Sequence, residues 1–101
     1  MIMDVWSVPI TPGKETEAVD SWTRMADAMR RQFPGISCRA VRPITGNTYR
    51  ILLVCEFASI AERDDLAATL NDEVKAIVSE STENKYVDNS GLEHNYYQVL
   101  E

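Results

Sequence analysis

The chain holds one histidine and two cysteines in 101 residues. His94, Cys38 and Cys55 lie far apart, and no Cys-x-x-Cys is present. Neither zinc-ligand spacing nor a disulfide scaffold can be read from so few residues. No metal site is expected, and the thiols read as reduced, as in the cytoplasm. Long apolar runs are also missing. The longest, Ile51-Leu52-Leu53-Val54-Cys55, is far short of the ~20 residues that cross a bilayer. Basic charge is scarce: 10 Lys+Arg face 16 Asp+Glu, for a net charge of −6. That balance argues against a nucleic-acid partner, whose binding depends on neutralising phosphates. No Lys or Arg precedes Lys14, and Asp4 interrupts the apolar start, so no signal peptide is expected. No phosphate loop, nucleotide fingerprint or Ser-His-Asp spacing is present. What remains is one domain, residues 1–101, expected to be cytoplasmic, with neither membrane nor nucleic acid as partner.

The residues that are present order themselves into elements. Ile2 to Ile10, with Val5, Trp6 and Val8, reads as a strand that Pro9 ends or places at an edge. Thr11-Pro12-Gly13 opens a helix, Thr11 as cap and Pro12 at the first helical position, with Glu15 and Glu17 in the first turn. Val19, Trp22, Met25, Ala26, Met29 and Phe33 form its apolar face, and Pro34-Gly35 ends it. Ile36 to Ile44 and Tyr49 to Phe57 read as a hairpin turning at Gly46-Asn47. This register sets Cys38 opposite Cys55, Ala40 opposite Leu53, Arg42 opposite Ile51 and Ile44 opposite Tyr49, all on one sheet face. The other face mixes Val41, Leu52 and Val54 with Arg39, Arg50 and Glu56. Ser59-Ile60-Ala61-Glu62 is a capping box opening a second helix. Asn71-Asp72 breaks that helix and caps a short third stretch around Val74, Ile77 and Val78. Thr82 to Gly91 reads as a loop, and Leu92 to Leu100 as the last strand.

The order is β-α-β-β-α-β, an α+β ferredoxin-like arrangement with a four-stranded antiparallel sheet and helices on one face. Ile51 to Cys55 is apolar on both sides, as in strands covered on both faces. One chain of this length has nothing left to cover the second face. A homodimer with sheets packed face to face is therefore expected.

Several boundary motifs resemble the dimeric α/β-barrel superfamily, in its antibiotic-biosynthesis-monooxygenase-like and NIPSNAP-like branches. They are Pro12-Gly13-Lys14, Phe33-Pro34-Gly35, Arg42-Pro43-Ile44-Thr45-Gly46 and Glu56-Phe57-Ala58-Ser59. The resemblance spans nearly the whole chain and implies a dimeric α/β barrel. It implies fold more than chemistry, since the superfamily includes cofactor-free monooxygenases, haem-degrading enzymes and isomerases. The haem-degrading members use a histidine on the second helix. Residues 59–81 contain none, so haem is not expected, and neither is any other cofactor.

The candidate site residues are few. Histidine is the side-chain type whose unperturbed pKa lies near neutrality, so His94 is a candidate general base if an orienting group stands beside it. Its structural alternative is a rim histidine making one hydrogen bond. Arg39, in mid-strand, is a candidate anchor for an anionic substrate, against a structural ion pair with Glu56 inside the chain or across a dimer. Trp22, Tyr96 and Tyr97 are candidate substrate-binding residues, although aromatics at such positions are more often core. Tyr96 and Tyr97 point to opposite faces, one toward the helices and one toward an interface. Met25 and Met29 read first as core filling. The expected function is binding of a small molecule, its enzymatic form being cofactor-independent monooxygenation or isomerisation of a cyclic or aromatic metabolite. The alternative is a non-catalytic homodimeric structural or binding module of the same fold.

Overall fold

The computed structural model describes residues 1–100. The elements are β1 (Ile2–Pro9), α1 (Glu15–Gln32), β2 (Ser37–Val41), β3 (Arg50–Phe57), α2 (Ile60–Ala67), α3 (Asp72–Glu83) and β4 (Glu93–Gln98). The sheet order is β2-β3-β1-β4 with every neighbouring pair antiparallel. This is the expected ferredoxin-like α+β arrangement. α1 packs on β2, β3 and α3, and α2 meets β3.

Alternation sorts the side chains. Ile51, Leu53, Cys55 and Phe57 are buried on the helix side of β3, and the residues between them are half-buried. Across β1, Asp4 lies opposite Cys55 and Trp6 opposite Leu53, so both share that side. His94 opposes Trp6 and Tyr96 opposes Asp4, which brings both to the same side. The other face presents Met3, Arg39, Val41, Leu52, Val54, Glu56 and Tyr97. None of the described helices covers it.

The hairpin register is as expected, with Cys38 opposite Cys55 and Ala40 opposite Leu53. The tight turn does not form. The ladder stops at Val41 and Leu52, and 42–49 bulge outward, leaving Ile44 94% exposed. Pro43 has no N–H to give to a ladder, and the Tyr49 carbonyl accepts from the Ile10 amide instead, at 2.8 Å. The opposed pairs Arg42/Ile51 and Ile44/Tyr49 are therefore absent. Arg42 turns to Glu15 Oε1 at 2.6 Å and the Thr48 carbonyl at 3.0 Å.

Two further boundaries differ from expectation. Pro12 and Gly13 form a turn before α1, and Lys14, which makes no side-chain cap, is the residue at the cap. Gly13 has φ +83°, a left-handed conformation that keeps the helix from starting at Pro12. After α2, a distinct α3 runs through Glu83, into the region expected as loop, and a 3-10 turn at Asn89–Gly91 follows. Of the three predicted caps, Thr11 makes none on α1, while the other two are in place: the Ser59 hydroxyl accepts from the Glu62 amide at 3.1 Å, and the Asn71 carbonyl Oδ1 from the Val74 amide at 3.0 Å. Side-chain caps of this kind contribute about 1 kcal/mol each.

Two buried serines on the helices contrast. Ser21 donates to the Ala18 carbonyl at 3.2 Å. Ser81 is equally enclosed on α3, but its Oγ has no hydrogen-bond partner. A buried hydroxyl left unpaired costs about 1–3 kcal/mol. Ser81→Ala should therefore raise stability by about 1 kcal/mol, a gain of roughly 4–8 °C in Tm for a domain of this size. Calorimetry of the two proteins checks it, and Ser21→Ala should show no such gain.

Candidate functional site

Between the sheet and the helices lies a cavity of about 310 Å³. Its floor is Trp6, Val8, Leu53, Cys55 and Phe57, and its roof is Trp22, Met25, Met29, Leu66 and Val74. Nearly all of this surface is apolar. Val78, Thr82, Asn89 and Leu92 also line it, and all four are solvent-exposed. That places the mouth between α3 and the turn before β4. The volume stands at the lower end of small-molecule sites, roughly 300–1,000 Å³.

Charge in the cavity wall is confined to two residues, Asp4 and Arg63. Asp4 sits in the middle of β1 at 4% exposure, where an isolated carboxylate would be strongly disfavoured. Three donors surround it. Arg63 Nε reaches Oδ2 at 2.9 Å, and Trp6 Nε1 reaches the same oxygen at 3.3 Å. His94 Nε2 contacts Oδ1. Each donor comes from a different position in the sequence: Trp6 two residues on, Arg63 from the first turn of α2, and His94 from β4. The Ser59 cap fixes where α2 begins, and so where Arg63 meets the sheet.

Aromatic stacking holds the cluster. The His94 and Trp6 rings stack with centroids 3.8 Å apart and an interplanar angle of 16°. Tyr96 meets His94 edge-on at 4.9 Å. The Arg63 guanidinium carbon lies 5.8 Å from the Trp6 ring centre and 5.9 Å from that of Tyr96, within cation–π range. Burial works against the Arg63 charge. The hydrogen bond and charge of Asp4 outweigh it, so the guanidinium pKa is raised above its ordinary value. Arg63 Nη1 reaches Asp64 Oδ1 at 3.4 Å, and Nη2 has no protein acceptor among the described residues. The cavity thus has one polar end, where the Asp4 carboxyl group and a guanidinium with an unused N–H edge stand side by side.

In the cavity floor, Cys55 touches Cys38 of the neighbouring strand. Their sulfurs are 2.6 Å apart, with the Cys55 S–H donating. That hydrogen bond holds the Cys38 thiol below its usual range and pushes Cys55 up, and burial adds to the rise at Cys55.

The candidates from sequence divide. His94, Trp22 and Tyr96 all come to this region. Trp22 lines the cavity and is itself buried, so core and pocket wall are one role here. His94 has the orienting partner that a base requires, but stands behind Trp6 rather than in the wall. Arg39 and Tyr97 lie on the opposite, open face, away from the cavity. Glu56 shares that face, yet Arg39 makes no ion pair with it, nor with any other of the described residues. In mid-strand on an exposed edge, the Arg39 guanidinium is solvated and needs no internal partner. Asp4 and Arg63 escaped sequence reasoning. The signal for Asp4 was a single carboxylate among Ile2, Met3, Val5, Trp6 and Val8, in phase with the buried residues. Arg63 gave none, standing among Glu62, Asp64 and Asp65 on a helix that reads as solvated. No group of three or more His, Cys, Asp or Glu capable of holding a metal occurs among the described residues, and no helix among them is long and apolar enough to cross a membrane.

Comparison with solved structures shows what the chain is similar to. A NIPSNAP family protein from Agrobacterium tumefaciens superimposes with a TM-score of 0.80 at 14% identity, covering 99% of this chain and 86% of that one. A Deinococcus radiodurans protein, provisionally described as an antibiotic biosynthesis monooxygenase, gives 0.74 at 13% identity, covering 100% and 94%. An uncharacterized NIPSNAP domain protein from Burkholderia xenovorans gives 0.72 at 16%, covering 99% and 95%. The fold is thus that of the antibiotic-biosynthesis-monooxygenase-like and NIPSNAP proteins, the superfamily that the boundary motifs resemble. At these identities the likeness concerns fold, and activity has to be argued from the site. No protein-family model and no curated protein matches the chain in sequence.

Proposed function

We propose that the protein is a homodimer that binds a small, flat, weakly acidic cyclic metabolite in the cavity and removes a proton from it. The supporting observation is the placement of Asp4 and Arg63 together at one end of an otherwise apolar cavity. An aromatic or polycyclic body fits the walls formed by Trp6, Trp22, Met25, Met29 and Phe57. An enol or phenol at its leading edge meets the polar end.

In this reading Asp4 accepts the proton and His94, hydrogen-bonded behind it, shares the charge. Arg63 presents its free N–H edge to the oxyanion that forms, in surroundings where water screens little. The resulting anion has two outcomes. It can give electrons to dioxygen, which is cofactor-independent monooxygenation, or it can take a proton back at another carbon, which is isomerisation. Names of structural neighbours support the first outcome by analogy. A second reading, a non-catalytic binding module, is favoured by one observation: both oxygens of Asp4 already accept hydrogen bonds within the chain.

Thermal-shift and calorimetric titration with 1-naphthol, anthrone and 1,4-naphthohydroquinone tests the proposal, together with oxygen uptake and deuterium exchange into the bound molecule. At least one of these should raise Tm. Asp4→Asn should keep much of the binding and lose proton exchange and oxygen uptake by at least ~100-fold, the usual scale of general-base catalysis. Binding without turnover in the unaltered protein would favour the module. Failure of all three to bind would remove the cavity from consideration as such a site.

A further inference from the structure

The cysteine pair formed by Cys55 in the cavity floor and Cys38 behind it is not used by this chemistry. Cys38 and Cys55 are directly opposed residues of antiparallel strands. Such positions place Cα atoms about 4.5–5.5 Å apart, inside the span a disulfide bridges, about 4.4–6.8 Å. Their sulfurs, 2.6 Å apart, are already within van der Waals contact. Both are free thiols, and they are the chain's only two cysteines. Both are nearly inaccessible from outside, at 2% and 4% exposure. Cys55 nevertheless lines the ligand cavity, so a small molecule entering at the mouth reaches its sulfur without unfolding the sheet.

We propose that Cys38 and Cys55 are a modification site: a dithiol that small peroxides entering the cavity convert to an intrachain disulfide. One proton leaves the pair from Cys38, and the Cys55 proton passes along the hydrogen bond to the Cys38 sulfur. The Cys55 sulfur, facing the cavity, attacks a peroxide oxygen. The S–O bond forms, the O–O bond breaks and the departing alkoxide or hydroxide takes a proton. Cys38 then attacks the sulfenic acid. The S–S bond forms, the S–O bond breaks and water leaves. Two thiols have lost two electrons and two protons, and the peroxide has become one water and one alcohol, or two waters when it is hydrogen peroxide. The site stands independently of which metabolite the cavity takes.

The test is thiol counting on the full chain by maleimide labelling in denaturant and intact mass. Two labelled thiols are expected before hydrogen peroxide treatment, none after it, and two again after dithiothreitol, with the oxidised chain at single-chain mass. Cys38→Ser should stop at a sulfenic acid on Cys55, trapped by dimedone. Two free thiols after peroxide, a disulfide between chains, or oxidation to sulfinic acid without a bridge would each overturn the proposal. Because the count on the unaltered protein decides this, it holds even if the variant folds poorly.

Discussion

Asp4→Ala should destabilise the protein by about 3–5 kcal/mol, the largest effect expected of any single substitution in the site. The mutation does not merely delete three hydrogen bonds. It leaves Arg63, one-fifth exposed along its side chain, beside an apolar cavity with its main counter-charge gone. Stranding one partner of a buried ion pair costs far more than removing both. Trp6 Nε1 and His94 Nε2 also lose their acceptor. Urea unfolding followed by tryptophan fluorescence reads the loss, since Trp6 stands in the cluster. The double variant Asp4→Leu/Arg63→Leu distinguishes the cause. If unpaired charge dominates, the double variant recovers most of the lost stability, because two apolar side chains replace the pair in an already apolar cavity. If the cluster contributes mainly by its hydrogen bonds, the double variant falls as far as the single one.

The same cluster marks where the sequence was legible and where it was not. Strand and helix order, the Ser59 and Asn71 caps and the Cys38–Cys55 register follow from local chemistry: capping geometry, apolar period and side-chain alternation. The width of the 42–49 loop does not, because it depends on the Tyr49 carbonyl being taken by Ile10, just past the neighbouring strand β1 and far away in sequence. For the site, His94 and Trp22 carry residue-type signals, titration near neutrality and a large aromatic surface. Asp4 and Arg63 stand out only through each other. Their separation of 59 positions is closed by the β3–α2 connection, and no spacing rule encodes such a meeting. Arg39 shows the converse. A charge in mid-strand attracts attention in a sequence, yet it lies on the face away from the cavity.

That open face carries the last large effect. Replacing Leu52 and Val54 together by lysine should convert a dimer into monomers, weakening association by at least ~1,000-fold, or about 4 kcal/mol. Both residues are half-buried on β3, a central strand, with Val41 and Tyr97 exposed on the same face. A sheet face of this composition is uncovered by the chain's own helices, all of which lie on the other side. Face-to-face packing on a second copy would place four lysines in one interface, each without a carboxylate partner except Glu56. Desolvating such charges costs several kcal/mol apiece. Sedimentation at micromolar concentration should show a dimer for the unaltered chain and a monomer for the variant. A monomer in both cases would refute the assembly. The substitutions point away from the cavity, so the variant's thermal shift with 1-naphthol should match the unaltered protein's if each cavity is complete within one chain. A lost shift in a folded monomer would instead mean that the partner shapes the cavity through the shared sheet, because Leu52 and Val54 flank Leu53, a residue of its floor.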